Sequence, residues 1–167
     1  MELKKLDDSF YVDNPVLIQA LDFDNKEREW MLYDAAGEKK TRGHGIVKIE
    51  LNGLTFAIPV RSNIQHDESF ILEVNRSRDR SNKGMGLDYQ KAVLIRDAAH
   101  ISNEDFVLRT KQAGRKLVGK EEHITTMFTH YVEKYVKAVR KNDRNILNSM
   151  EYRFTTLINY HAELGLP

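Results

Sequence analysis

Apolar and polar positions alternate most cleanly between residues 46 and 60. Val47, Ile49 and Leu51 take every second place, Asn52-Gly53 follows, and Leu54, Phe56, Ile58 and Val60 resume the alternation. A period of two marks a half-buried strand. Asn-Gly accepts the positive φ needed at both central positions of a two-residue turn, so the pattern predicts a β-hairpin. Pro59 has no N–H to give to a ladder, which predicts an edge or a bulge at that end. Apolar runs at 70–74 and 92–95 predict a third strand and a short, buried fourth. Residues 106–108 fit a further strand or a helical turn, and 75–86 read as a polar, basic loop.

Helical signals lie on both sides of this region. Asn14 as a cap and Pro15 at a first helical position predict a short helix over 14–21, and the charged stretch 24–29 reads as a loop. Beyond residue 120 the period lengthens. Ile124, Met127, Phe128, Tyr131, Tyr135 and Val139 recur at helical spacing. Asp143 can cap a second helix carrying Ile146, Leu147, Met150, Phe154, Leu157 and Ile158, with Gly165 past its end. Tyr131, Tyr135 and Phe154 read as core on this pattern. A short connection predicts antiparallel packing of the two helices. Strands first and helices last give an α+β domain: a small, strongly curved antiparallel sheet or barrel over about residues 40–110, covered by helices, with a C-terminal antiparallel helix pair over about 121–163. The 167 residues fit one such domain, and no internal repeat is visible.

Composition narrows the function classes. Lys and Arg number 26 against 25 Asp and Glu, a net charge of +1, so the chain is no generic polycation. Yet residues 1–36 hold four bases and nine acids, a net of −5, which leaves 22 bases and 16 acids, a net of +6, in the remainder. Such a split can present a positive face to an anion, although uneven charge is also ordinary on a solvated surface. Cysteine is absent, which removes disulfides, thiolate metal sites and a cysteine nucleophile. There is no apolar run of about 18 residues and no apolar signal core at the start. The expectation is a cytoplasmic protein without a membrane partner.

Candidate chemistry flanks the hairpin. Lys39-Lys40-Thr41-Arg42-Gly43-His44-Gly45 precedes it and Arg61-Ser62-Asn63-Ile64-Gln65-His66 follows it. A hairpin brings the start of one arm beside the end of the other, which predicts a cluster of Arg42, His44, Arg61, Ser62 and His66 at one end of the sheet. Paired guanidiniums suit a phosphate, though a polar strand end has the same composition. Lys134, Lys137, Lys141 and Arg144 recur at spacings of three and four and can follow a phosphate backbone or form a plain solvated face. Zinc-protease, phosphate-loop and nucleophile-elbow motifs are missing, and no metal or cofactor is expected.

The segments 42–47, 56–63 (Phe56-Ala57-Ile58-Pro59-Val60-Arg61-Ser62-Asn63) and 86–92 (Gly86-Leu87-Asp88-Tyr89-Gln90-Lys91-Ala92), with the end from Glu151 to Gly165, resemble the toxins of type III toxin–antitoxin systems, nearest the TenpN branch of the ToxN/AbiQ-like endoribonucleases. The resemblance spans nearly the whole chain. It implies a curved sheet or barrel like that of ToxN and Kid, and metal-independent, sequence-specific cleavage of single-stranded cellular or phage RNA to a 2′,3′-cyclic phosphate. It also implies inhibition by a small repeat RNA, cut by the toxin itself and bound in a closed ring, rather than by a protein antitoxin. The family's serine after the proline-bearing arm matches Ser62. Its basic residue before the first arm matches Arg42, with Lys40 in reserve, while the family's lysine after the serine is missing here. On this reading Arg42 and Arg61 stabilise charge, Ser62 positions the phosphate or the 2′-hydroxyl, and His44 or His66 moves protons. RNA contacts are expected from Lys40, Asn63, Arg76, Arg78, Arg80, Lys83, Lys91, Lys134, Lys137 and Lys141. A non-catalytic RNA-binding module and a barrel-fold toxin acting on a protein remain alternatives.

Overall fold

The computed structural model describes residues 1–20 and 45–167, together with the backbone of Phe23–Asp24 and Glu29–Trp30. The strands are β1 (Lys4–Leu6), β2 (Phe23–Asp24), β3 (Glu29–Trp30), β4 (Gly45–Leu51), β5 (Leu54–Ile64), β6 (Ser69–Val74), β7 (Gly84–Asp88), β8 (Val93–Leu94) and β9 (Ile101–Asp105). The helices are α1 (Ser9–Asp13), α2 (Lys111–Leu117), α3 (Glu121–Lys141) and α4 (Arg144–Leu147). Seven strands form one antiparallel sheet in the order β6-β7-β5-β4-β1-β9, with β8 also paired to β5. β6 and β9 end that order without meeting, so the α+β class holds but the sheet is open and not a barrel.

The hairpin forms as its sequence dictates. Leu51 pairs with Leu54, Ile49 with Phe56 and Val47 with Ile58. Asn52 and Gly53 supply φ of 51° and 80°. Pro59 sits in an internal strand, not at an edge. Beyond the turn the far side of β5 is paired first with β8, at Phe56 and Ala57, and then with β7, from Val60 onward. Counting alternately from Thr55, whose carbonyl accepts from Ile95 on that side, Pro59 faces the gap between the two partners, where no N–H is required.

The segment read as a loop over 75–86 ends early, because Gly84–Asp88 is the strand β7 between β5 and β6. Its glycines hid it. A Cβ at Gly84 would collide with the Glu73 carbonyl, and one at Gly86 with that of Phe70, so the close approach of β6 excludes the side chains by which a strand is recognised. The strand or turn expected at 106–108 lies earlier, as β9. Asp24 and Glu29 pair as strand ends; residues 25–28 of that expected loop lie outside the described residues.

The N-terminal helix is displaced. Asn14 closes α1 instead of opening a helix: its backbone N–H and its side-chain amide both donate to the Phe10 carbonyl, at 2.9 and 2.8 Å. Pro15 then marks a stop, and residues 14–20 are not helical.

α3 forms over its apolar stripe and buries Ile124, Phe128, Tyr131 and Tyr135, while Met127 is exposed. Glu121 and Glu122 in its first turn and Arg140 and Lys141 in its last complement the helix dipole. Asn142 ends it at φ 50°, with the Asp143 N–H returning to the Ala138 carbonyl. Phe128 lies edge-on to Phe56 and Tyr89, with ring centres 5.3 and 5.9 Å apart, which seats the helix on the sheet.

The second helix of the expected pair does not form. Asp143 does cap, accepting from the N–H groups of Asn145 and Ile146, but α4 stops at Leu147. The carbonyls a continuing helix would use are taken by tertiary donors. Gln90 Nε2 binds those of Met150 and Glu151, the Tyr131 hydroxyl binds that of Glu151, and Lys91 binds that of Phe154. Tyr152, stacked 4.7 Å from Tyr131, and Leu157 are consequently core residues of this segment, while Met150, Phe154 and Ile158 are exposed. Phe154 is therefore not core, whereas Tyr131 and Tyr135 are.

Candidate nucleic-acid interface

Successive residues of β5 face opposite sides of the sheet, and this decides the fate of the Arg61-Ser62 pair. Arg61 turns inward. Its Nη1 lies 3.1 Å from Asp88 Oδ2, and Asp88, at the end of β7, is 3% exposed. His66, on the connection from β5 to β6, brings Nε2 to 3.0 Å from Asp88 Oδ1, off the line of a hydrogen bond. Asp88 also accepts from the Gln90 N–H and so caps the turn at Tyr89–Lys91. The guanidinium and the imidazole thus converge on one buried carboxylate. Among the described residues, the hollow that Arg61 shares with Leu6, Tyr11 and Pro59 has a volume of about 10 Å³, too little for a ligand. Nearby, burial raises the Glu68 carboxyl above its ordinary value, a shift that Lys134 partly opposes.

Ser62 goes the other way. In the β5–β7 ladder Arg61 pairs with Gly86 and Ile64 with Gly84, so Ser62 and Asn63 together oppose Met85. This is a β-bulge, a device that re-aims side chains. Asn63 adopts φ 58°, a left-handed conformation costly for a residue with a Cβ, and both bulged residues are exposed. A second irregularity, at Leu72 of β6, faces the same short stretch of β7.

The bulge opens onto a cleft of about 630 Å³ whose far wall is α2 and the residues just before it. Ser62, Asn63, Arg76, Asn82, Arg109 and Lys116 line it, and Glu73 is the one acid on its wall. Among the described residues, Arg76, Arg109 and Lys116 form no ion pair and no side-chain hydrogen bond. A second hollow of about 680 Å³, bordered by Glu2, Lys4, Lys48, Arg96 and Glu121, differs in this respect. There Lys4 pairs with Asp105 and Glu2, Lys48 with Glu50, and Arg96 with Glu163. Of these two hollows, and among the described residues, the first is the one with cations left over to meet an anion.

The predicted five-residue cluster is therefore divided. Arg61 and His66 come together around Asp88, and Ser62 faces the cleft with Asn63 and Arg76. Arg42 and His44, with Lys40, lie outside the described residues. Arg78 and Arg80 are exposed on the loop leading to β7, where Lys83 pairs with Asp67 at 2.5 Å and holds its carboxyl below the ordinary value. Lys91 serves the fold: its ammonium donates to the carbonyls of Gln19 and Phe154, each at 2.8 Å. Lys134, Lys137 and Lys141 are exposed on α3, and none lines the cleft. Sequence reasoning missed Arg109, Lys116 and Asn82. The first two carried a readable signal, since Thr110 caps α2 through the Ala113 N–H and bases recur on both sides of it.

Burial pushes up the phenols of Tyr131, Tyr135 (to about 12) and Tyr152. They stay protonated. Tyr131 gives its one proton to the Glu151 carbonyl, with the Thr155 hydroxyl 2.9 Å from its oxygen, and Tyr152 donates to the Tyr131 carbonyl. Among the described residues, no three His, Asp or Glu side chains group as metal ligands, and no helix is long and apolar enough to cross a membrane. No protein-family model, curated protein or solved structure matches the chain.

Proposed function

We propose that the protein is a metal-independent endoribonuclease of the type III toxin kind, binding single-stranded RNA across the cleft beside the β5 bulge. The observation that carries this reading is the set of unpaired cations, Arg76, Arg109 and Lys116, gathered around an exposed serine and asparagine. Guanidinium and ammonium groups suit phosphate oxygens, and a bulge beside a cleft is where a strand re-aims reactive side chains. In the reaction the RNA's 2′-hydroxyl oxygen attacks the adjacent phosphorus and loses its proton. The bond from phosphorus to the 5′-oxygen breaks, and that oxygen gains a proton. The products are a 2′,3′-cyclic phosphate and a 5′-hydroxyl end. Ser62 holds a non-bridging oxygen, and Arg76 and Arg109 offset the charge gathering on the phosphorane, a contribution of the oxyanion-hole type. Glu73 is the carboxylate on the cleft wall and the group there able to accept the 2′-hydroxyl proton. The resemblance adds Arg42, with Lys40 in reserve, and a repeat RNA as the natural inhibitor in a closed assembly.

Purified protein incubated with single-stranded RNA in excess chelator tests the reading. Fragments ending in a cyclic phosphate are expected, with a rate about 10²–10³-fold lower for Ser62→Ala. A second reading, an RNA-binding module without catalysis, is favoured by one observation: no imidazole is among the described residues lining the cleft. An electrophoretic shift without fragments selects that reading.

A further inference from the structure

The cleft contains a relay of amides whose polarity is set by the backbone. The Gly84 N–H is a donor by necessity and lies 2.9 Å from the Asn82 side chain, so the atom it meets is Oδ1. Asn82 therefore points its Nδ2 the other way, to the Asn63 side chain at 2.8 Å, and the atom there must be an acceptor, Asn63 Oδ1. That leaves Asn63 Nδ2 as the free end of a side chain fixed at one end. The surrounding loop is held in the same manner. Asn75 accepts from the Ser77 N–H and donates to the carbonyls of Asp79 and Asn82. Asn63 itself is kept at φ 58° inside the bulge, next to Ser62.

We infer that Asn82 is a positioning residue: it fixes the amide of Asn63 so that Asn63 presents two N–H donors, and never its carbonyl, to a phosphate oxygen in the cleft. A neutral donor held in advance adds directionality that flexible lysine and arginine side chains lack, and it costs no reorganisation when the anion arrives. A strained left-handed residue at a ligand-facing bulge fits the same role, since glycine would fit that backbone better and would provide no donor. This deepens the proposed function and rests on its phosphate-binding half alone.

The test uses Asn63→Gly, Asn82→Asp and the double variant. Affinity is read with a short labelled single-stranded oligonucleotide, and inorganic phosphate is followed by the side-chain amide resonances. Asn63→Gly relieves the positive φ, so its melting temperature should equal or exceed the parent's, while affinity falls about tenfold. Asn82→Asp still accepts from Gly84 but can no longer donate, so Asn63 must turn and offer its carbonyl to the anion. The new carboxylate also repels phosphate, and the double variant separates the two effects. The relay requires Asn82→Asp to cost roughly tenfold more in the parent than in the Asn63→Gly background. Equal costs in both backgrounds, or an Asn63→Gly variant that binds like the parent, overturn it. A parent that binds through Asn63 but yields no RNA fragments leaves the relay standing and overturns the nuclease reading. Fragments at the parental rate from Asn63→Gly, with unchanged affinity, overturn the relay alone. A parent that binds neither probe overturns both.

Discussion

Arg61 and Ser62 are adjacent in the chain, yet they belong to different parts of the molecule's chemistry. Arg61 is drawn to a carboxylate that is 3% exposed, with a buried histidine on its other oxygen. Ser62 stands exposed on a bulge, facing a cleft whose cations have no partners among the described residues. Arginine thus does opposite work in the two places: Arg61 is paired to a buried carboxylate, and, among the described residues, Arg76 and Arg109 stand unpaired around the cleft. A charge that is buried must be neutralised by the fold, and once neutralised it holds structure together. A charge left unpaired at a concave surface is available to something from outside.

The largest break in this comparison comes from Asp88→Ala. It strands the Arg61 guanidinium and removes the cap at Gln90, and unfolding in urea should show a loss of about 3–5 kcal/mol. The cleft should respond in the opposite sense. The triple variant Arg76→Ala, Arg109→Ala, Lys116→Ala should change stability little, within about 0.5 kcal/mol per site. Its plot of log affinity for single-stranded RNA against log salt should be shallower by about 2, at roughly 0.7 per phosphate contact. A triple variant with the parental salt slope would move the RNA away from the cleft.

Glu68 sharpens the buried side through pH. Burial raises its carboxyl, so its contribution is fully present at low pH, where it is protonated both folded and unfolded. As pH rises through the ordinary carboxylate value the unfolded chain releases its proton first, and stability falls until the folded carboxyl has ionised too. Glu68→Gln should therefore be more stable than the parent at about pH 7 and indistinguishable from it at about pH 3 in urea titrations. The smallest effect belongs to the surface pair of Lys83 and Asp67, where Lys83→Ala should cost no more than about 1 kcal/mol.

Much of the fold was legible where local chemistry and tertiary context agree. The Asn-Gly turn fixed the hairpin and its register, and the stripe from Ile124 to Val139 fixed α3. Legibility failed where distant groups decide. β7 has glycine at 84 and 86 because β6 lies too close for a side chain at those two positions, which no periodicity reports. The apolar spacing from Ile146 to Ile158 mimics a helix, but Gln90, Lys91 and Tyr131 claim its carbonyls. Asn14-Pro15 is as good a helix stop as a start, and only the preceding Phe10 carbonyl settles which. At the site, Pro59 pointed to an edge or a bulge at that end of β5, and a bulge does form at Ser62 and Asn63, but the hairpin alone could not show which side chains it re-aims. Nor could it show that Asp88, far along the chain, claims Arg61.

Photo-crosslinking of an oligonucleotide carrying 4-thiouridine, with the linked residues mapped by mass spectrometry, tests most directly whether the open face of the bulge is where RNA lies. Adducts at 62–63, 75–76 and 109–116 are the expected result. Adducts confined to α3, or to residues around Asp88, would contradict it.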